Sequence, residues 1–159
     1  MYEVEWIRIW DIGENEFTYN TAVEDKIVID KDEIIIEKDH KTRIIFQKST
    51  IISYSMPPSS KVDAPGPNSY NVGHVAILLS NMHERYYSLN ELETMSEKII
   101  IDEDEIIAYT MQPISANPLK YDKSDIIVFP KSNIVNYVIP KDVATWKPGK
   151  SGLGGLGKP

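Results

Sequence analysis

Two short acidic segments hold the densest groups able to do chemistry: Asp30, Asp32 and Glu33, and Asp102, Asp104 and Glu105. Carboxylates at such spacing can exchange protons or gather a calcium ion. The D-x-D-E order lacks the glycine and the closing glutamate of an EF-hand loop. Aspartate also favours tight turns, because its side chain bonds to nearby backbone amides. The sequence therefore predicts hairpin turns at both places.

Histidine chemistry is thin, with only His40, His74 and His83 in the chain. A metal site needs several ligands converging on one point. His74 and His83 sit near the base and the turn of one predicted hairpin, where a carboxylate could complete a site. Solvated or hydrogen-bonded histidines fit the spacing better. Gly152–Gly157, GLGGLG, matches G-x-G-x-x-G, and Gly149-Lys150-Ser151 matches the end of a Walker A loop. Both motifs work only where a helix follows whose amino end holds phosphate, and only two residues follow Gly157. There is no cysteine nucleophile and no G-x-S-x-G run. The reading is of a protein that is not an enzyme, with no cofactor and no metal.

One pattern suits nucleic acid. Lys48 with Tyr54, and Lys131 with Tyr137, could set a basic-aromatic face on a strand. The net charge of −7 opposes it, since phosphate binding draws mainly on positive charge. Protein partners or self-assembly are the expected contacts, with nucleic acid disfavoured.

Those lysines and tyrosines belong to a larger regularity. Lys26–Ile35 is KIVIDKDEII and Lys98–Ile107 is KIIIDEDEII, identical at eight of ten positions. Ile44–Pro57 is IIFQKSTIISYSMP and Ile127–Pro140 is IVFPKSNIVNYVIP, identical at seven of fourteen. An internal duplication is expected, with a period too long for a solenoid repeat and suited to two small fused β units. A unit of about sixty to seventy residues buries too little surface to be robust alone, so the halves should share a core.

The elements follow from period-two alternation. The prediction is a mainly β fold of two pseudo-symmetric halves, each of about six short strands. They form a sandwich or paired small barrels. Residues 1–57 make the first repeat and 58–71, PSSKVDAPGPNSYN, a Pro/Ser-rich linker. Residues 72–142 make the second repeat. The segment 109–125 is an extra loop, because the second half carries eleven residues there that the first lacks. Ser88-Leu89-Asn90-Glu91 has the form of a capping box, and Leu89, Leu92 and Met95 follow at spacings of three. One short helix is thus predicted over 89–97.

Residues 143–159 form a Gly/Lys-rich tail, which alone would be disordered. Its Trp146, Lys147, Lys150, Leu153 and Leu156, with Tyr109 and Tyr121 of the extra loop, are the candidate partner-binding residues. The opening residues lack a basic start followed by an apolar run, and no apolar stretch reaches bilayer length. This predicts a soluble protein, cytoplasmic or carried in a virion, with no membrane insertion. Abundant Ile, Lys and Glu with no Cys lean towards a thermophile, an archaeon or one of its viruses.

The order of strands from Glu24 through Val72–Leu79 and Glu84–Ser88 into the segment Leu89–Glu97 is loosely similar to pleckstrin-homology or GRAM-type domains. That resemblance implies a ligand-binding β module. It is the alternative to the leading expectation, a structural or assembly protein such as a virion or appendage component or an accessory subunit of a large complex. Such a module would use the extra loop or the groove between repeats.

Overall fold

The Ile- and Val-rich runs form strands because branched β-carbons favour extended backbone and pack well on a pleated surface. A computed structural model describes residues 1–91 and 95–141. Fourteen strands run in chain order. In the first half they are β1 (Tyr2–Glu3), β2 (Trp6–Asp11), β3 (Glu16–Asn20), β4 (Lys26–Ile29), β5 (Glu33–Lys38), β6 (Thr42–Gln47) and β7 (Ile51–Met56). In the second they are β8 (Tyr70–Asn71), β9 (His74–Leu79), β10 (Glu84–Ser88), β11 (Ser96–Ile101), β12 (Glu105–Ala116), β13 (Leu119–Pro130) and β14 (Ile134–Val138). A 3₁₀ turn joins β6 to β7 at Lys48–Thr50, and another joins β13 to β14 at Lys131–Asn133.

The strands make three antiparallel sheets, in the orders β1-β4-β5-β6, β3-β2-β7-β13-β12-β11-β8, and β10-β9-β14. The seven-stranded sheet lies in the middle. One core gathers Ile7, Ile9, Ile27, Ile34 and Met56 from the first half with Ile100, Ile107, Ile126 and Val128 from the second. The other gathers Val75, Ile77, Leu79, Ile99, Ile101 and Phe129 with Ile52. Neighbours Ile99, Ile100 and Ile101 thus point alternately into two different cores. A strand covered on both faces needs an unbroken apolar run, and this is why KIII stands where a one-sided strand would alternate.

Pairings in β1–β7 recur in β8–β14. Tyr2 pairs with Ile29 as Tyr70 pairs with Ile101. Ile9 pairs with Tyr54 as Ile77 pairs with Tyr137. Ile34 pairs with Phe46 as Ile106 pairs with Phe129. The acidic segments close the two matched hairpins: Asp30 N donates to Glu33 O at 2.9 Å and Asp102 N to Glu105 O at 2.8 Å.

Three expectations change. There are seven strands per half rather than about six, because Tyr2–Glu3 and Tyr70–Asn71 are separate two-residue strands. The break at Val4-Glu5 shifts the inward phase, so Val4 is buried and then Ile7 and Ile9. The helix predicted over 89–97 is not seen among its described residues: Ser96–Ile101 is β11, and Met95 makes an isolated parallel bridge to Ser88. Residues 92–94 lie outside the described residues. Ser88 Oγ accepts from Asn90 N at 3.1 Å, a tight turn rather than a helix cap. So short a helix is weak alone, and ladder pairing of β11 with β12 outweighs it. The helix on which the pleckstrin-homology likeness leaned is therefore not found among the described residues. Finally, the extra loop is a hairpin arm: β12 and β13 run on together as far as Ala116 and Leu119.

Among the described residues, no helix is long and apolar enough to cross a membrane.

Candidate functional site

The two halves meet edge to edge, and this joint concentrates the buried polar chemistry. β7 pairs with β13 through Met56–Ile126, Ser55–Ile127 and Tyr54–Val128. Beside it, Tyr54 Oη donates to Glu105 Oε2 at 3.3 Å, and Lys48 Nζ stands 3.9 Å from the same oxygen. The Tyr2 side chain lies beside the Tyr54 hydroxyl. Lys48 also lies 5.3 Å above the Tyr54 ring, where the ring's negative face favours a cation. Asn133 completes the joint from the second half, with Nδ2 donating to Ser49 O at 2.8 Å and Ile51 O at 2.9 Å.

Burial sets the protonation of this cluster. It raises the Glu105 carboxyl, and Lys48 and the Tyr54 hydrogen bond pull it only partly back. It lowers Lys48, against the pull of Glu105, Asp32, Asp30 and Asp63. It raises Tyr54 well above the usual phenol range, helped by the Glu105 charge, and raises Tyr2 as well. A groove of about 430 Å³ opens over the joint, with Lys31, Lys48 and Lys131 facing Asp32, Asp104 and Glu105.

The matched Lys–Tyr pairs were legible in the sequence, but their role was not. Tyr54 is 1% exposed, so the first pair points into the joint and offers no stacking platform. Lys131 likewise lies 5.4 Å from the Tyr137 ring, and Tyr137 stands beside Tyr70 as Tyr54 does beside Tyr2. Glu105 reads in the sequence as a turn residue. Only the fold shows that it reaches across to the other half.

The remaining candidates are scattered. Tyr109 sits at the root of the arm under Lys98, whose Nζ is 4.6 Å from its ring, beside a cavity of about 160 Å³. Tyr121 lies further out, paired with Pro113. Trp146, Lys147, Lys150, Leu153 and Leu156 lie outside the described residues. His83 pairs with Glu14 at 3.1 Å and packs edge-on to Trp10, His74 packs near Tyr86, and His40 sits by Asp25. Among the described residues, no group of three or more His, Asp or Glu converges to hold a metal.

A second feature is a pair of sheet edges. β6 pairs only with β5, and β14 only with β9, among the described residues. Ile45 on β6 is 50% exposed, and Val135 and Val138 on β14 are 56% and 61% exposed. An unpaired edge presents a row of backbone donors and acceptors ready to bind another strand.

Comparison with protein-family models, with curated proteins and with solved structures finds no match to this chain.

Proposed function

We propose that this chain is a non-catalytic structural or assembly protein, a component of a virion or appendage or an accessory subunit of a large complex. The observation that carries the reading is the pair of unpaired edges, β6 and β14, bearing exposed Ile45, Val135 and Val138. Natural sheets guard free edges with charge, proline or bulges, and apolar side chains there favour pairing with another chain. The matched pairings of β1–β7 and β8–β14 fit an origin by duplication of a seven-stranded unit that once met its own copies. The Gly/Lys-rich tail fits an added arm that docks on a neighbour.

Light scattering coupled to size exclusion tests this on the full chain and on a version ending at residue 141. Assembly by the full chain supports the reading, and its loss on truncation assigns the contact to the tail. A full chain that stays monomeric at high concentration and copurifies with no partner from its native source overturns it.

A second reading, a ligand-binding module, draws on the groove over the joint, where lysines face carboxylates. A small zwitterionic or mixed-charge ligand fits such a lining. It predicts a rise in melting temperature with such compounds that Lys48→Met abolishes.

A further inference from the structure

We propose that copies of this chain associate head to tail, the β14 edge of one molecule pairing antiparallel with the β6 edge of the next. The contact repeats between molecules the β7–β13 joint found within one. This rests on the assembly reading above and specifies the partner as a second copy.

The internal joint is lopsided. It joins the last strand of the first half to the sixth strand of the second. A two-fold joint would use the reciprocal pair, β14 with β6, in the same molecule, but those strands stay apart. A contact between two different surfaces leaves one of each unused, and further copies can add there to build a ring or a filament. Here the unused surfaces are β6 and β14.

Their side chains match that role. Residues of β6–β7 correspond to those of β13–β14 at one constant separation, as Phe46 to Phe129 and Tyr54 to Tyr137. Val128 is 0% exposed in the joint, whereas its counterpart Ile45 is 50% exposed. Ile52 is 0% exposed, and its counterpart Val135 is 56% exposed. Ser55 is 8% exposed, and its counterpart Val138 is 61% exposed. Nothing at these free positions needs to be apolar for one molecule alone. Of the other substantial edges, β3 turns Glu16, Thr18 and Asn20 outward and β10 turns Glu84 and Tyr86 outward, and neither carries an aliphatic row.

Polar groups repeat the pattern. Lys131 lies over the Tyr137 ring, with Tyr70 beside it, as Lys48 lies over Tyr54 in the joint. Among the described residues, what the second set lacks is the carboxylate supplied to the first by Glu105. Its counterpart is Glu33, here bound only by Gln47 Nε2 at 3.3 Å among the described residues. In the assembly, Glu33 of the next molecule meets Lys131 and Tyr137. The transferred register sets Ile44 opposite Val138, Ile45 opposite Tyr137 and Arg43 opposite Ile139. Arg43 departs from its buried counterpart Ile126, and its aliphatic stem lies over Ile139 while the guanidinium stays in water. Thr50 departs from Asn133: its one hydroxyl proton goes to Gln47 O at 2.8 Å within the chain and must turn away to supply one of that residue's two bonds.

Sedimentation of the full-length wild type and of Ile45→Lys and Val138→Lys, each first checked for native circular dichroism, tests the geometry. The wild type is expected to form species larger than dimers as concentration rises. Each variant alone should return to the mass of one chain, and an equal mixture should stop at twice that mass, since each retains the edge the other lost. The chain has no cysteine, so Ile44→Cys and Val138→Cys give a second, register-specific readout. Antiparallel partners sit within disulfide reach. The double-cysteine chain should oxidise to a reducible ladder, the mixed single variants to a dimer, and each single variant alone to nothing.

Loss of assembly in only one lysine variant, with dimers from one single-cysteine variant alone, overturns the head-to-tail joint in favour of a two-fold pairing of like edges. Assembly untouched by both lysines also overturns it, while the assembly reading stands on another surface. A monomeric wild type that copurifies with another protein does the same. A monomeric wild type with no partner overturns both.

Discussion

Glu105 shows how far a residue's neighbours in space can outrun its neighbours in sequence. The sequence gives an aspartate-rich hairpin turn, and the turn forms as expected, with Asp102 Oδ1 accepting from Glu103 N at 2.9 Å. The next carboxylate, however, crosses the joint to Tyr54 and Lys48. No local pattern marks that crossing, because it depends on which strands become neighbours. The repeated Lys48/Lys131 and Tyr54/Tyr137 were visible, and their shared spacing signalled a shared local structure rather than a shared ligand. The environment of Glu105 yields a pH prediction. Its carboxyl is held above the ordinary 4.5, so the folded protein binds that proton more tightly than the unfolded chain does. Stability from this group is fully present below 4.5 and is lost as pH rises through the folded value. Urea denaturation at a series of pH values should therefore show wild-type stability falling, relative to Glu105→Gln, from 4.5 upward and levelling once the group has ionised. A constant difference between the two proteins across that window would show that Glu105 is not so perturbed.

At the scale of elements, alternation read the strands well and helical spacing misled. Leu89, Leu92 and Met95 have the right period, yet Ser96–Ile101 must extend to pair with β12 and to fill two cores. Ladder hydrogen bonds and buried isoleucines outweigh a local cap. The shift between the matched segments locates eleven extra residues within 109–125 but does not show their form. Pro113, Pro118 and scattered apolar residues look like a loop, whereas the segment continues the hairpin. Pro113 is tolerated in β12 because the ladder is already irregular there, with a register shift between Pro113 and Ser115. The first half closes the same hairpin with Asp39-His40-Lys41 alone, where Asp39 and His40 take positive φ. Replacing residues 111–124 with Asp-His-Lys should thus preserve the fold. The main ion pair lost is Lys123–Glu97, 3.9 Å apart and well exposed, so the cost from it is within about 1 kcal/mol. A shift of more than a few degrees in melting temperature, or loss of a sharp transition, would mean that the arm braces the core.

For the whole molecule, the decisive feature is that neither half owns its core. Ile100, Ile107, Ile126 and Val128 from the second half pack with Ile7, Ile9 and Ile34 from the first, and the middle sheet runs unbroken through the joint. The need to share a core was foreseeable from the size of each repeat. The lopsided route was not, since matched sequences suggest a two-fold arrangement and say nothing of which edges meet. Sharing makes the halves one cooperative unit, because unfolding either strips a face from the middle sheet. Leu79 lies wholly in the second core, against which Trp10 of β2 packs, whereas Trp6 is not part of that core. Leu79→Ala should cost about 2–5 kcal/mol, as buried leucine truncations do. It should lower a single transition seen alike by tryptophan fluorescence and far-ultraviolet circular dichroism. Two separated transitions, with only one shifted by Leu79→Ala, would mean that the halves fold independently, and the buried β7–β13 joint would then be a docking contact rather than part of a common core.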